Sequence, residues 1–192
     1  MRIVGGRLRG LALAQVGDGD AQAHLRPTPD RVREALFNIL SAGAFGDPVG
    51  GARVLDLFAG TGALGLEALS RGAAHVTFVD EGAAARALIR ANIDKARAMG
   101  VTKLFRRDAT RLGENRGPGF SLVFLDPPYG QKLGERALAS ATAGGWLVPG
   151  AVVIWEESAP QVPPPAFVLL DRRRYGETHL TLLRYEPDSP PP

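Results

Sequence analysis

The chain has 192 residues, 45% hydrophobic and 22% charged, the size and composition of one globular domain with at most a small appendage. It has no cysteine and three scattered histidines (His24, His75, His179), which excludes disulfide scaffolds, Cys-ligated zinc, iron–sulfur clusters and thiol catalysis and leaves no metal site to expect. No apolar run approaches a membrane span and the N-terminus lacks a signal peptide's apolar stretch, so a cytoplasmic protein with no membrane partner is expected. Arginine supplies 20 of the 23 basic residues, and the net charge of +3 permits an anionic partner without requiring one.

Residues 1–14 alternate basic, apolar and glycine positions, a pattern that predicts a short β-hairpin carrying Arg2, Arg7 and Arg9 with no acid among them. Residues 17–24 read as a loop. Thr28-Pro29-Asp30 then opens a helix, with Thr28 as the expected N-cap, Pro29 in the first turn and Asp30 facing the helix dipole. Val32, Ala35, Leu36, Ile39 and Leu40 form its apolar face, while Arg31 and Arg33 are left, beside the hairpin arginines, as candidate contacts to an anionic partner. The Gly/Pro-rich stretch 43–51 separates this appendage, residues 1–50, from a main domain expected over 51–186.

From residue 53 strands and helices alternate. Arg53–Phe58 is an apolar strand that runs into Ala59-Gly60-Thr61-Gly62-Ala63-Leu64-Gly65 and a helix at about 63–71. Gly60, Gly62 and Gly65 satisfy G-x-G-x-x-G in the strand–loop–helix context this motif needs to cradle a nucleoside cofactor, with Phe58, Ala59 and Thr61 in the same loop. The next strand, His75–Asp80, ends in an acid 20 residues beyond Gly60, where ribose hydroxyls would be bound. The motif itself fits a dinucleotide or S-adenosylmethionine. Asp56, at the end of the first strand and the mouth of the site, would repel a pyrophosphate and attract a sulfonium and an ammonium. Asp108, read as ending a third strand over 103–109, could accept the adenine amine, so the three acids together favour the methyl donor.

The fourth strand, 120–126, is apolar and ends in Asp126-Pro127-Pro128-Tyr129. Two prolines fix two φ angles and remove two N–H donors, leaving Asp126 and a rigid run of carbonyls. That suits a substrate that donates hydrogen bonds: a planar amine conjugated with a ring, such as guanine N2 or adenine N6. Tyr129 offers a ring on which the flipped base can stack. A helix at about 131–142 and a strand Ala151–Glu157 follow, and strands 167–174 and 179–186 joined by Tyr175-Gly176-Glu177-Thr178 read as an antiparallel hairpin. The proline-rich tail 187–192 predicts disorder. The fold class is therefore α/β and Rossmann-like, a mostly parallel sheet with a C-terminal antiparallel hairpin and a small N-terminal hairpin and helix.

The glycine loop and the Asp126–Tyr129 run resemble those of class I S-adenosylmethionine-dependent methyltransferases that act on amines. With the stretches Arg2–Gly10 and Arg26-Pro27-Thr28-Pro29-Asp30-Arg31-Val32-Arg33-Glu34, the chain is similar to the RsmD-type bacterial small-subunit rRNA guanine-N2 methyltransferases over residues 1 to about 186. The resemblance implies methylation of one guanine of 16S rRNA, within the small ribosomal subunit or an assembly intermediate, with no oligomer required. One departure is Gly82, where the family often has an acid; this removes a possible cofactor contact and leaves Asp80 to serve with a shorter arm. An adenine-N6 methyltransferase of RNA or DNA remains an alternative in the same chemistry. A nicotinamide-dependent oxidoreductase and a non-enzymatic RNA-binding protein are alternatives of other classes.

Overall fold

The computed structural model describes residues 1–15 and 28–187. The predicted loop 17–24, Arg26-Pro27 and the tail beyond Pro187 lie outside the described residues. The elements in chain order are α1 (Asp30–Ser41), β1 (Arg53–Leu57), α2 (Ala63–Ser70), β2 (His75–Val79), α3 (Ala83–Lys95), β3 (Thr102–Phe105), β4 (Phe120–Leu125), α4 (Leu133–Ala143), β5 (Leu147–Glu157), β6 (Phe167–Tyr175) and β7 (Thr178–Tyr185). One seven-stranded sheet runs in the order β3-β2-β1-β4-β5-β7-β6. The strands β1 to β5 pair in parallel, and β7 pairs antiparallel with both β5 and β6. The chain leaves β1 towards β2 and β3, then returns to β4 on the other side of β1. Such a reversal opens a crevice at the carboxyl ends of the two strands, where ligands of open α/β sheets bind.

The central strands are covered on both faces and therefore read as continuous apolar runs. Val54, Leu122 and Phe124 pack with α1, α2 and α3, and Leu55, Leu57, Val123 and Leu125 pack with α4 on the other face. The N-terminal segment joins the first of these cores through Ile3 and Leu13.

Several expectations change. The hairpin expected over residues 1–14 is reduced to one antiparallel bridge, Arg2↔Ala12, around a 3-10 turn at Gly6–Leu8. Its shape comes from α2. Glu67, wholly buried, accepts hydrogen bonds from Val4 N–H (2.8 Å), Gly5 N–H (2.8 Å) and Arg71 Nε (2.7 Å). Thr28 does not cap α1; Pro29 occupies that position without a side-chain bond, and the Thr28 hydroxyl points elsewhere. Arg33 was read as solvent-facing but is wholly buried, paired to Asp30 at 2.9 Å and donating to the Arg2 carbonyl. Its helix turn faces the N-terminal segment, a neighbour that periodicity within α1 cannot reveal. Strand β3 stops at Phe105, so Asp108 is not a strand-end residue.

Glu67→Ala should leave two amides and a guanidinium without their buried acceptor. The expected loss is about 3–5 kcal/mol of unfolding free energy, measured by urea titration, with residues 1–10 gaining protease sensitivity.

Candidate active site

The β1–β2 half of the crevice is built on glycine geometry. Phe58 leaves β1 with φ 57°, the left-handed region in which a non-glycine residue is strained, and Gly62 ends the loop with φ 76°. A Cβ at Gly65 would meet the Phe78 ring at 2.5 Å and Val76 at 2.7 Å, so only glycine lets α2 close on β2. Asp80 follows β2 and grips the loop: its Oδ2 accepts from Gly60 N–H (2.9 Å) and its Oδ1 from Gly82 N–H (2.8 Å). Burial raises the Asp80 carboxyl, opposed by those two amides and by Arg86.

Asp56 was expected at the mouth of the site. It lies instead beneath the loop, 2% exposed, where its Oδ2 accepts from Gly65 N–H at 3.0 Å. Burial pushes its pKa up to about 8, with the Gly65 amide opposing and the Asp80 charge adding to the rise. The cause of its placement is strand alternation: Asp56 points with Val54 into the face covered by α2. Asp108 is displaced as well. It caps a 3-10 turn at Ala109–Arg111, its Oδ1 accepting from the Thr110 hydroxyl (2.7 Å) and Thr110 N–H (2.8 Å). The Thr110 hydroxyl chiefly holds its carboxyl below the usual range.

The β4–β5 half holds Asp126-Pro127-Pro128-Tyr129. The parallel register pairs Leu57 with Leu125 and Leu125 with Trp155, so Asp126 stands beside both the glycine loop and Glu156. Glu156, which sequence reading did not single out, organises this half. Its Oε2 accepts from Thr28 Oγ1 at 3.1 Å and its Oε1 from the Tyr129 hydroxyl at 2.9 Å. Thr28 Oγ1 also lies 3.4 Å from Asp126 Oδ2, bridging the two acids. Glu157 anchors the next turn by accepting from Gly130 N–H at 2.8 Å. Burial first, then the charges of Glu156 and Asp56, raise the Asp126 carboxyl well above its ordinary range. Burial and Glu156 likewise raise the Tyr129 hydroxyl. The available signal for Glu156 was its position, an acid at the carboxyl end of the strand following Asp126.

Of the candidate RNA-contacting arginines, Arg2, Arg7, Arg9 and Arg31 are exposed and Arg33 is not. Arg172, Arg173 and Arg174 are exposed on β6, the edge strand at the far side of the sheet from β3. Among the described residues no helix is long and apolar enough to cross a membrane.

A glycine loop thus meets the Asp126-Pro127-Pro128-Tyr129 turn across one sheet reversal. Residues 1–184 match the family model described as Conserved hypothetical protein 95. The chain belongs to this family. The Ribosomal RNA small subunit methyltransferase D of Escherichia coli (strain K12) is 37% identical over 167 residues, covering 85% of this chain and 79% of that protein. The protein of the same name from Haemophilus influenzae is 33% identical over 185 residues, covering 92% and 89%. The solved structure of yhhF from Escherichia coli, described as a candidate methyltransferase, superposes with a TM-score of 0.79 at 33% identity over 97% of this chain and 98% of that one. The family is that of the RsmD-type class I methyltransferases, and the cofactor of this member is S-adenosylmethionine. The residues present fit that cofactor: a glycine loop opening a helix, a carboxyl held at the end of β2, and a buried carboxyl below the loop to complement a cation.

An ionised Asp56 costs the fold, because its folded pKa of about 8 lies above the ordinary aspartate value of about 3.9. Stability from this group is full at low pH and is lost as pH rises towards 8. Asp56→Asn should therefore raise the melting temperature, more at pH 8 than at pH 5, while weakening S-adenosylmethionine binding in calorimetry.

Proposed function

We propose that this methyltransferase transfers a methyl group from S-adenosylmethionine to the exocyclic N2 amine of a guanine in small-subunit (16S) rRNA. The observation that carries the reading is the pair of carboxyls Asp126 and Glu156, bridged by Thr28 at the carboxyl ends of β4 and β5 beside the glycine loop. Relatives named as small-subunit rRNA methyltransferases, similar over most of the chain, support the RNA class. A guanine presents two donors side by side, N1–H and N2–H2, to such a wall. Adenine presents N6–H2 beside the N1 lone pair, which carboxylates repel, so the pocket favours guanine.

Bound S-adenosylmethionine supplies an electrophilic methyl group on a sulfonium. The chain's own residues do the remaining work. Asp126 and the Pro127 carbonyl accept hydrogen bonds from the target amine, orienting a lone pair otherwise spread into the ring. On methyl transfer the Asp126 carboxylate would accept the proton that the amine sheds. Its raised pKa makes Asp126 a better base than an exposed aspartate. The Tyr129 ring stacks on the flipped base, and Glu156 holds that ring through the hydroxyl at 2.9 Å. Asp56, Phe58, Ala59, Gly60, Thr61, Gly62, Asp80 and Asp108 are the proposed cofactor contacts; Arg2, Arg7, Arg9 and Arg31 are the proposed phosphate contacts, which position RNA without reading its sequence.

The direct test is methylation of small subunits and of deproteinised 16S rRNA from a strain lacking the enzyme, followed by nucleoside analysis. N2-methylguanosine is the expected product, with the assembled or partly assembled subunit the better substrate; N6-methyladenosine would overturn the assignment. Asp126→Ala should lower turnover by about 100-fold or more while leaving S-adenosylmethionine affinity nearly unchanged.

Asp126 must be ionised to take the proton, so turnover should climb as pH rises through the raised pKa of this carboxyl, above the range of an exposed aspartate. Glu156→Gln removes one of the charges that raise Asp126 and should move this acid limb to lower pH. A merely structural defect would lower the rate at every pH without moving the limb.

A further inference from the structure

A second concavity, of about 590 Å³, lies on the α4 face of the sheet, away from the crevice. Arg53 and Phe120, the first residues of β1 and β4, line it together with Lys103, Arg107, Arg116 and Trp146. The starts of β1 and β4 are the ends opposite to those carrying Asp56 and Asp126, and from there the cavity extends along the α4 face to Phe105 and Arg107 at the carboxyl end of β3.

Its chemistry is cationic and preorganised. Four basic side chains, Arg53, Lys103, Arg107 and Arg116, face one acid, Glu114, which is exposed and only loosely paired with Arg116 at 4.0 Å. The Arg53 guanidinium lies 5.4 Å from the centre of the Phe120 ring. Arg107 lies 5.2 Å from the Phe105 ring and 5.9 Å from Trp146. Stacking of this kind removes rotamer freedom from long cationic chains before any ligand arrives. Arg53 Nε is buried without a hydrogen-bond partner. The outer wall is fixed as well: Trp146 Nε1 donates to the Gly113 carbonyl at 2.8 Å, and Asn115 N–H donates to the Gly144 carbonyl at 2.9 Å. His75, close by, is held below its ordinary pKa by burial and by Arg53 and Lys103, which marks the sign of the local field.

The four cations stand on β1, on β3 and at two positions of the segment between β3 and β4. Arg53 and Arg107 are pinned on aromatic rings, while Lys103 and Arg116 are exposed. A single small anion would be better served by converging donors, whereas charges spread along an open cavity match successive phosphates of a chain. We propose that this cavity binds the phosphodiester backbone of single-stranded RNA, as a contact remote from the methylated base. The proposal rests on the reading of the substrate as RNA.

The test uses the full chain with Lys103→Glu and Arg116→Glu combined, because both side chains are exposed and neither is stacked on a ring. Binding of fluorescently labelled polyuridylate is measured against potassium chloride concentration. The expected result is binding weakened by about tenfold, with the log–log salt slope reduced by about 1.4 for two lost contacts. Calorimetric affinity for S-adenosylmethionine stays unchanged, and the charge-keeping pair Lys103→Arg with Arg116→Lys binds like the wild type. An unchanged slope overturns the proposal. So does saturation by free uridine monophosphate at the polymer's nucleotide concentration, which would make this a mononucleotide site. Polyuridylate contains no target guanine, so absence of N2-methylguanosine from 16S rRNA would defeat the proposed function without altering this result.

Discussion

Asp56, Asp80, Asp126 and Glu156 gather at the carboxyl ends of adjacent parallel strands, and most of their surface is withdrawn from water. Two like charges 4 Å apart repel by about 4 kcal/mol at an effective dielectric near 20, so such a cluster persists only where its surroundings answer it. The answer inside the protein is a set of donors. Gly65 N–H serves Asp56, Gly60 and Gly82 N–H serve Asp80, Thr28 bridges Asp126 and Glu156, and the Tyr129 hydroxyl serves Glu156. Protonation supplies the rest, as the raised carboxyls of Asp56 and Asp126 indicate. A cationic cofactor would complement this cluster.

The same cluster ties the N-terminal part of the chain to the chemistry. Thr28, just ahead of α1, reaches two acids far along the sequence, while α1 itself packs in the core shared by β1 and β4. The first ten residues hang from Glu67 on α2, the helix that the glycine loop opens. The exposed arginines Arg2, Arg7 and Arg9 are therefore carried on a segment bolted to the cofactor side of the sheet. A substrate phosphate held there would have a rigid mechanical relation to the target pocket.

The two faces of the sheet differ in what covers them. Three helices and the N-terminal segment cover one face, whereas on the other α4 packs near β4 and β5 and the loop 113–118 borders β1 to β3. Aromatic rings at that uncapped end are shielded by arginine side chains rather than by another helix. This keeps apolar surface from water and leaves positive charge outermost.

Much of the architecture was legible because it is local. Apolar runs bounded by glycine and proline mark β1, β2 and β4, helical spacing marks α1, and Tyr175-Gly176-Glu177-Thr178 marks the turn between β6 and β7. The glycine loop and Asp126–Tyr129 were legible because their chemistry is written in consecutive residues. Thr28, Glu156, Asp56 and Arg33 were misread or missed for one reason: their surroundings come from distant segments. Thr28 meets Asp126 across 98 positions and Glu156 across 128. Arg33 looks solvent-facing on its helix and is covered by the N-terminal segment across 31 positions. Sequence alone thus determined most element types of the main sheet, the glycine loop and the rigid turn at Asp126–Tyr129, since backbone periodicity and proline or glycine geometry act within a few residues. Strand register decided which carboxyls share a pocket and which one lies beneath the loop, because burial and electrostatic coupling depend on neighbours that only the folded sheet supplies.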